Sequence, residues 1–233
     1  NYVVYGAGAG GVGVADQIFA GLLQDGLSEQ EARDRVYILD SRGLVLENRA
    51  GLDDYKKCYA KPETLVSGWE LAEPGKVSLT ELINNLKVDV LIGTCGVPGS
   101  FTEVHVRKMC EYNEHPIVFP LSNPTSKCEA LPQDLYRWSQ GRAIVATGSP
   151  FGDVEYEGKR YRIGQGNNVF IFPGVGLAAI LGKVDKVTMG MFTRASHALA
   201  ECVSEQDLAE GAVFPRINHL RTISGHVAVS VLE

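Results

Sequence analysis

Short apolar runs alternate with segments of helical periodicity along most of the chain. Continuous apolar runs of four or five residues predict strands buried on both faces, as in a parallel sheet. The runs are Tyr2–Tyr5, Val36–Leu39, Val88–Ile92, Ile117–Leu121 and Ala143–Ala146. Apolar residues at helical spacing between them predict helices over Val12–Gln24, Ser78–Leu86, Thr102–Tyr112 and Leu131–Ser139. The alternation predicts an α/β fold built on a doubly wound parallel sheet.

A glycine-rich loop stands between the first predicted strand and the first predicted helix. Gly6, Gly8 and Gly11 satisfy the pattern G-x-G-x-x-G. Such glycines permit a tight turn, close approach of the backbone to a pyrophosphate and close packing of helix on strand. The next strand ends in an acid, Asp40, which is suited to the hydroxyl groups of a ribose. The strand, turn, helix and acid together predict a dinucleotide site and a Rossmann-like fold.

The pattern also predicts how the chain is divided. Residues 1–166 are expected to form the dinucleotide-binding Rossmann core, and residues 167–233 a helical C-terminal segment. Two parts of the core depart from the alternation of predicted strands with predicted helices. Arg49–Gly75 is polar and irregular and predicts a surface excursion, whereas Asp153–Ile163 alternates around Glu157-Gly158 and predicts a β-hairpin.

The choice between NAD and NADP stays open at this level. Asp40 accepts hydrogen bonds from both ribose hydroxyl groups, which favours NAD. Ser41 and Arg42 follow it directly and are suited to a 2′-phosphate, which favours NADP. Lys56 and Lys57 add cations if their loop folds back, although a solvated loop explains them equally well. We expect a dual or NADP-leaning site.

Three further segments follow predicted strands, where ligands of open parallel sheets lie. Small residues around Gly96 follow the third core strand and would let a cofactor lie flat against the backbone. Asn123 follows the fourth and offers both a donor and an acceptor, although an Asn before Pro also forms ordinary turns. Asn167 and Asn168 stand between glycines and an apolar run, where a plain turn is the alternative.

These segments together resemble the malic enzymes, and the resemblance runs in order through essentially the whole chain. The run from Gly164 to Gly174 is the most specific part. The other matching motifs are Gly6-Ala-Gly8, Asp40-Ser-Arg-Gly-Leu44, Leu91-Ile-Gly93, Leu121-Ser-Asn-Pro-Thr-Ser126 and Ala146-Thr-Gly-Ser-Pro-Phe151. The match is to the C-terminal, NAD(P)-binding part of the enzyme.

The resemblance implies oxidative decarboxylation of L-malate to pyruvate and CO2, with reduction of NAD or NADP and with a divalent metal, Mg or Mn. It implies that Asn123 lies near the nicotinamide ribose and malate, and that Asn167 or Asn168 contacts the malate carboxylate. The implied cofactor-binding residues are Gly6, Ala7, Gly8, Ala9, Gly11, Asp40, Ser41, Arg42, Gly96 and Asn123. Many members carry an acid or a polar residue at the position of Ala9, and Ser41-Arg42 with Lys57 resembles the members that use NADP.

The family's catalytic Tyr and Lys, its acidic metal ligands and its malate-binding Arg lie upstream of the glycine-rich loop. The chain opens inside a strand with no initiating Met, which predicts a segment of a longer protein. We therefore expect no catalytic residue and no metal ligand within these residues. The expected behaviour is cofactor binding without malate turnover, and a homodimer or homotetramer for the full-length enzyme.

Composition narrows the classes of partner. The net charge is −6 and no block of Lys or Arg occurs, which argues against nucleic acid and anionic membranes. The cysteines are odd in number, five, and form no C-x-x-C pair. They predict free thiols in a reducing compartment, namely the cytoplasm, or the mitochondrial matrix in a eukaryote.

Two other function classes remain open on the sequence. Another Rossmann dehydrogenase, for an amino acid or a 2-hydroxy acid, would show its catalytic His or Lys within or after this region, and none stands out. A non-catalytic dinucleotide sensor would lack the upstream Tyr, Lys and acids in its full-length gene.

Overall fold

A computed structural model describes all 233 residues, and its centre is a seven-stranded sheet in the order β3-β2-β1-β4-β5-β6-β9. All neighbouring pairs are parallel except β2 and β3. A separate antiparallel hairpin pairs β7 with β8. The strands are β1 Tyr2–Tyr5, β2 Val36–Asp40, β3 Gly43–Leu44, β4 Val90–Gly93, β5 Ile117–Pro120, β6 Ile144–Thr147, β7 Val154–Tyr156, β8 Lys159–Tyr161 and β9 Gly164–Gln165.

Ten α-helices accompany the strands, and none has the length and apolar character that a membrane crossing requires. Short 3₁₀ helices cover residues 63–65, 125–127, 168–170 and 217–219. The α-helices are α1 Ala9–Gln24, α2 Glu29–Arg35, α3 Asp54–Lys57, α4 Leu79–Asn85, α5 Glu103–Cys110, α6 Pro132–Ser139, α7 Phe172–Leu181, α8 Met189–Glu201, α9 Glu205–Ala209 and α10 Leu220–Leu232.

Alternate strand residues enter two separate cores, one on each face of the sheet. Val3 and Leu91 pack with side chains from α4, α5 and α6 on one face. Val4 and Ile92 pack with side chains from α1 and α2 on the other. Apolar contact on both faces is the reason why the strands read as continuous apolar runs. The predicted α/β, doubly wound parallel sheet is confirmed.

Local sequence signals set several helix starts. The hydroxyl group of Ser28 accepts a hydrogen bond from Glu31 N at 3.3 Å, and the Glu31 carboxylate accepts one from Ser28 N at 2.9 Å. Ser78 and Glu81 form the same reciprocal pair at the start of α4. Each pair satisfies backbone donors that the first turn of a helix leaves unbonded.

The C-terminal helices have a small core of their own and also contact the Rossmann core. Phe170, Val175 and Val227 belong to that small core, which joins α7, α8 and α10. The side chains of His197 on α8 and Gln24 on α1 are hydrogen-bonded at 2.9 Å. On α7 several large apolar side chains remain exposed, namely Phe172, Leu177, Ile180 and Leu181.

Candidate functional site

The glycine-rich loop turns tightly between the end of β1 and the start of α1. Gly6 has φ +128°, a backbone conformation that glycine adopts readily. The backbone N–H groups of Gly6 and Ala7 both donate to the carbonyl oxygen of Leu39, at 2.8 and 2.9 Å. The loop is thereby fixed against the end of β2, next to Asp40.

The three motif glycines differ in what surrounds them. A Cβ atom at Gly6 would lie 2.4 Å from the carbonyl carbon of Thr94, and one at Gly11 would lie 1.9 Å from the carbonyl oxygen of Gly6. A Cβ atom at Gly8 would meet no protein atom within 4 Å. Close packing of the chain therefore requires glycine at two positions, whereas the protein itself leaves space beside Gly8.

The N-terminus of α1 presents unpaired donors. The backbone N–H groups of Gly8, Ala9, Gly10 and Gly11 donate to no atom of the chain. The aligned peptide dipoles add partial positive charge at this end of the helix. Free N–H groups with this charge form a site suited to a phosphate, so the loop fits the pyrophosphate of a dinucleotide.

Asp40 ends β2 at the side of this loop, and its carboxylate is held by donors from its own neighbourhood. It accepts hydrogen bonds from Arg42 N at 2.9 Å and from an Arg49 guanidinium nitrogen at 2.7 Å. Burial raises the pKa of Asp40, but these hydrogen bonds and the nearby cations outweigh it and leave the pKa below its usual value. The carboxylate is therefore ionised and able to accept further hydrogen bonds from a ribose.

The two lysines of the excursion have different positions. The Nζ atom of Lys56 lies 3.6 Å from the carboxylate of Asp40, whereas the side chain of Lys57 is exposed and pairs with Asp54. Of the two lysines that the sequence offered, the structure thus brings Lys56, and not Lys57, to the carboxylate of Asp40. Sequence reasoning missed Arg49 altogether, since only the fold of the irregular segment brings it to Asp40. The Arg42 guanidinium forms no ion pair or hydrogen bond within the chain and faces solvent.

A cleft of about 520 Å³ joins these groups along the ends of three strands. Its size lies within the range of small-molecule sites. It brings together Gly6, Ala7 and Gly8 with Asp40, Ser41 and Arg42. The other residues that line it are Tyr5, Tyr55, Lys56, Thr94, Cys95 and Val97. The predicted residues Ala9, Gly11, Gly96 and Asn123 are not among the lining residues. Ala9 and Gly96 directly follow a lining residue, Gly11 lies in the first turn of α1, and Asn123 follows β5.

The predicted segments after the later strands meet one another. Asn123 follows β5, and its side-chain oxygen accepts a hydrogen bond from the hydroxyl group of Ser149, after β6, at 2.7 Å. Gln165 on β9 donates to the carbonyl oxygen of Gly148 at 3.0 Å. The amide nitrogen of Asn123 donates to the carbonyl oxygen of Leu121 at 3.4 Å, and because the residue is exposed its second N–H remains open to a ligand.

The adjacent amides Asn167 and Asn168 have different roles in the fold. The side-chain oxygen of Asn167 accepts a hydrogen bond from Val169 N at 2.9 Å and caps the 3₁₀ helix that follows. Asn168 is exposed, and neither residue is hydrogen-bonded to Asn123. Of the two, Asn168 has the side chain that the fold leaves free.

No group of three or more His, Cys, Asp and Glu side chains in the chain is arranged to hold a metal ion. The divalent metal that the resemblance implies is therefore not assigned to these residues.

Comparison with known proteins identifies the family. The sequence model of the family described as malic enzyme, NAD-binding domain, matches residues 1–233. The chain belongs to the malic enzyme family. It is the NAD-binding domain of that family, and this assignment confirms the resemblance and decides against a different dehydrogenase.

Individual bacterial malic enzymes are similar in sequence to nearly the whole of this domain. The domain is 44% identical over 231 residues to the NAD-dependent malic enzyme of Sodalis glossinidius, and covers 41% of it. It is 44% identical over 228 residues to that of Acinetobacter baylyi, and 38% identical over 231 residues to that of Psychrobacter cryohalolentis. These matches include 98 to 99% of the domain, which spans about 40% of the length of these relatives.

Proposed function

We propose that this domain supplies the dinucleotide site of an enzyme that oxidises and decarboxylates L-malate to pyruvate and CO2. The observation that carries the proposal is the cleft between Asp40 and the unpaired N–H groups at the start of α1. A pyrophosphate at the helix N-terminus places one ribose at the end of β2 and the nicotinamide end toward β4 and β5. The order β2-β1-β4-β5 sets this direction.

The cofactor contacts divide by position along the cleft. Gly6, Ala7 and Gly8 face the pyrophosphate with Ala9 and Gly11, while Asp40, Ser41 and Arg42 surround the adenosine ribose. Gly96 and Asn123 belong to the nicotinamide side. For the substrate we propose that Asn123 contacts malate and that Asn167 or Asn168 contacts its carboxylate, with Asn168 supported by its exposed side chain.

The complete enzyme requires groups beyond this domain. We propose a catalytic Tyr and Lys and acidic ligands for Mg or Mn elsewhere in the full-length protein, and a homodimer or homotetramer as its assembled form. The exposed apolar side chains of α7 support a buried interface in that assembly. The five free thiols support a reducing compartment, the cytoplasm or the mitochondrial matrix.

A binding and turnover comparison on the 233-residue chain tests the proposed function. We expect NAD⁺ to bind weakly and malate with Mn²⁺ to give no NADH, because the proposed catalytic Tyr and Lys and the metal ligands lie elsewhere in the full-length protein. Calorimetric titration measures the first and absorbance at the NADH band the second. Failure to bind any dinucleotide would contradict the proposed site, and turnover would contradict the division of catalytic groups.

The choice of cofactor depends on Arg42. We propose that the site accepts NADP as well as NAD, because the Arg42 guanidinium has no partner in the chain and lies beside the ribose end of the cleft. Arg42→Ala is expected to weaken NADP⁺ binding by roughly 10- to 150-fold, the equivalent of one charge-assisted hydrogen bond, and to change NAD⁺ binding by less than about 2-fold.

The measurement is the dissociation constant of both cofactors for both proteins at one salt concentration, since salt screens exposed charges. Arg137→Ala is the matched control, because Arg137 is an exposed arginine of α6 that pairs with Asp134 and does not line the cleft. Equal losses of NAD⁺ and NADP⁺ in Arg42→Ala would show that Arg42 does not contact the 2′ position.

A further inference from the structure

Glu129 is a buried acid that the sequence analysis did not single out. It lies in the connection from β5 to α6, and none of its surface is exposed. Its side chain takes part in no ion pair, and its carboxylate accepts hydrogen bonds from backbone N–H groups, from the Ser122 hydroxyl group and, at 3.5 Å, from the Cys95 thiol. A buried carboxylate without a neighbouring cation is costly unless several donors are oriented toward it.

One set of donors comes from the loop after β4. Oε1 of Glu129 accepts hydrogen bonds from Cys95 N at 3.0 Å and from Gly96 N at 3.4 Å. Gly93 makes room for this side chain, because a Cβ atom there would lie 2.5 Å from Cδ of Glu129. Cys95 lines the cofactor cleft, so the carboxylate lies directly behind one of its walls.

The second set of donors comes from the loop after β5. Oε2 of Glu129 accepts a hydrogen bond from Ser122 N at 3.3 Å, and Oε1 accepts one from the Ser122 hydroxyl group. The same hydroxyl oxygen accepts a hydrogen bond from Gly96 N at 2.8 Å. Ser122 is adjacent in sequence to Asn123, so one carboxylate connects the wall of the cleft to the segment that carries the proposed substrate amide.

We propose that Glu129 is a positioning residue that holds the nicotinamide side of the cofactor site in its binding shape. The proposal rests on the proposed dinucleotide site. The loops that Glu129 joins follow β4 and β5, whereas Asp40 ends β2 on the opposite side of β1. Loss of the Glu129 carboxylate therefore affects the nicotinamide half of the ligand and leaves the ADP-ribose half in place.

Glu129→Gln tests this division, because it keeps the size of the side chain and replaces one acceptor oxygen by a donor. At least one backbone N–H then faces an NH₂ group inside the protein. We expect NAD⁺ binding to weaken roughly 10- to 100-fold, because the loops after β4 and β5 move to give the unpaired donor a partner and lose their binding shape, while ADP-ribose binding changes by less than about 2-fold.

The two dissociation constants are measured by calorimetry on the full chain, with thermal unfolding recorded in parallel. Glu111→Gln is the matched control, since Glu111 is an exposed acid whose carboxylate pairs with Lys108. If the Glu129→Gln variant does not fold, the Ser122→Ala variant tests the proposal instead. It removes the hydroxyl group that is bonded to both Glu129 and Gly96 N, and it keeps the acid. We expect it to weaken NAD⁺ binding roughly 3- to 10-fold and to spare ADP-ribose.

The outcomes separate this inference from the proposed function. Equal weakening of NAD⁺ and ADP-ribose, or no weakening of either, overturns the role of Glu129 alone. If the unaltered chain binds neither ligand, the dinucleotide site is wrong and the inference fails with it.

Discussion

Gly8→Val is expected to abolish dinucleotide binding and to leave the domain folded. Gly8 has φ −80° and ψ −178°, an extended conformation open to any residue, and a Cβ atom there meets no protein atom within 4 Å. A branched side chain would instead occupy the space beside the unpaired N–H groups of α1. Loss of two charge-assisted hydrogen bonds, at ~1.5–3 kcal/mol each, weakens NAD⁺ binding by at least roughly 100-fold.

Calorimetric titration with NAD⁺ measures this loss, and circular dichroism with thermal unfolding checks the fold. Gly21→Ala is the control, because Gly21 lies within α1, far along the helix from the cleft, and like Gly8 has no neighbouring atom within 4 Å of its Cβ position. Unchanged affinity in Gly8→Val would show that the pyrophosphate does not bind at this loop.

Gly11→Ala is expected to act on stability, in contrast to Gly8→Val. The added methyl group would lie 1.9 Å from the carbonyl oxygen of Gly6 and 2.7 Å from the Thr94 hydroxyl oxygen. Backbone cannot move aside as a flexible side chain can, so α1 must shift away from β1. We expect a loss of at least about 3 kcal/mol in the free energy of unfolding, the upper part of the range for overpacking. Such a loss is a large share of the stability of a typical domain.

Urea denaturation monitored by circular dichroism measures that change. Gly13→Ala is the matched control in the same helix, because no protein atom lies within 4 Å of its Cβ position. Alanine is more favourable than glycine within a helix by about 1 kcal/mol. An unfolding midpoint of Gly11→Ala equal to that of the unaltered protein would contradict the close approach of α1 to the glycine turn.

The sequence predicted the sheet well where burial on both faces leaves a continuous apolar run. Tyr2–Tyr5 is a strand with the predicted bounds, and the hairpin around Glu157-Gly158 is confirmed. Strands β3 and β9 were not predicted, because each has only two residues and exists through its pairing with β2 or β6. So short an element has no periodicity of its own for a sequence pattern to reveal.

The site was predictable where a motif is local and not where distant segments meet. The glycine loop and Asp40 carry signals within a few residues of one another, and the fold places them in one cleft. Arg49 reaches Asp40 only because an irregular segment folds back, and Glu129 joins the ends of β4 and β5. A single acid in a loop carries no sequence signal of such a role, because its donors come from other parts of the chain.

In the proposed dinucleotide site, the adenosine end depends on the docking of the segment that follows β3. Arg49 and Lys56 neutralise Asp40 from outside the parallel sheet, so the charge at the ribose position depends on whether this segment is docked. Apparent affinity for a ligand scales with the fraction of molecules in the binding-competent state. We therefore expect substitutions that loosen the segment far from the cleft to weaken nucleotide binding, and bound nucleotide in turn to protect the segment against local opening.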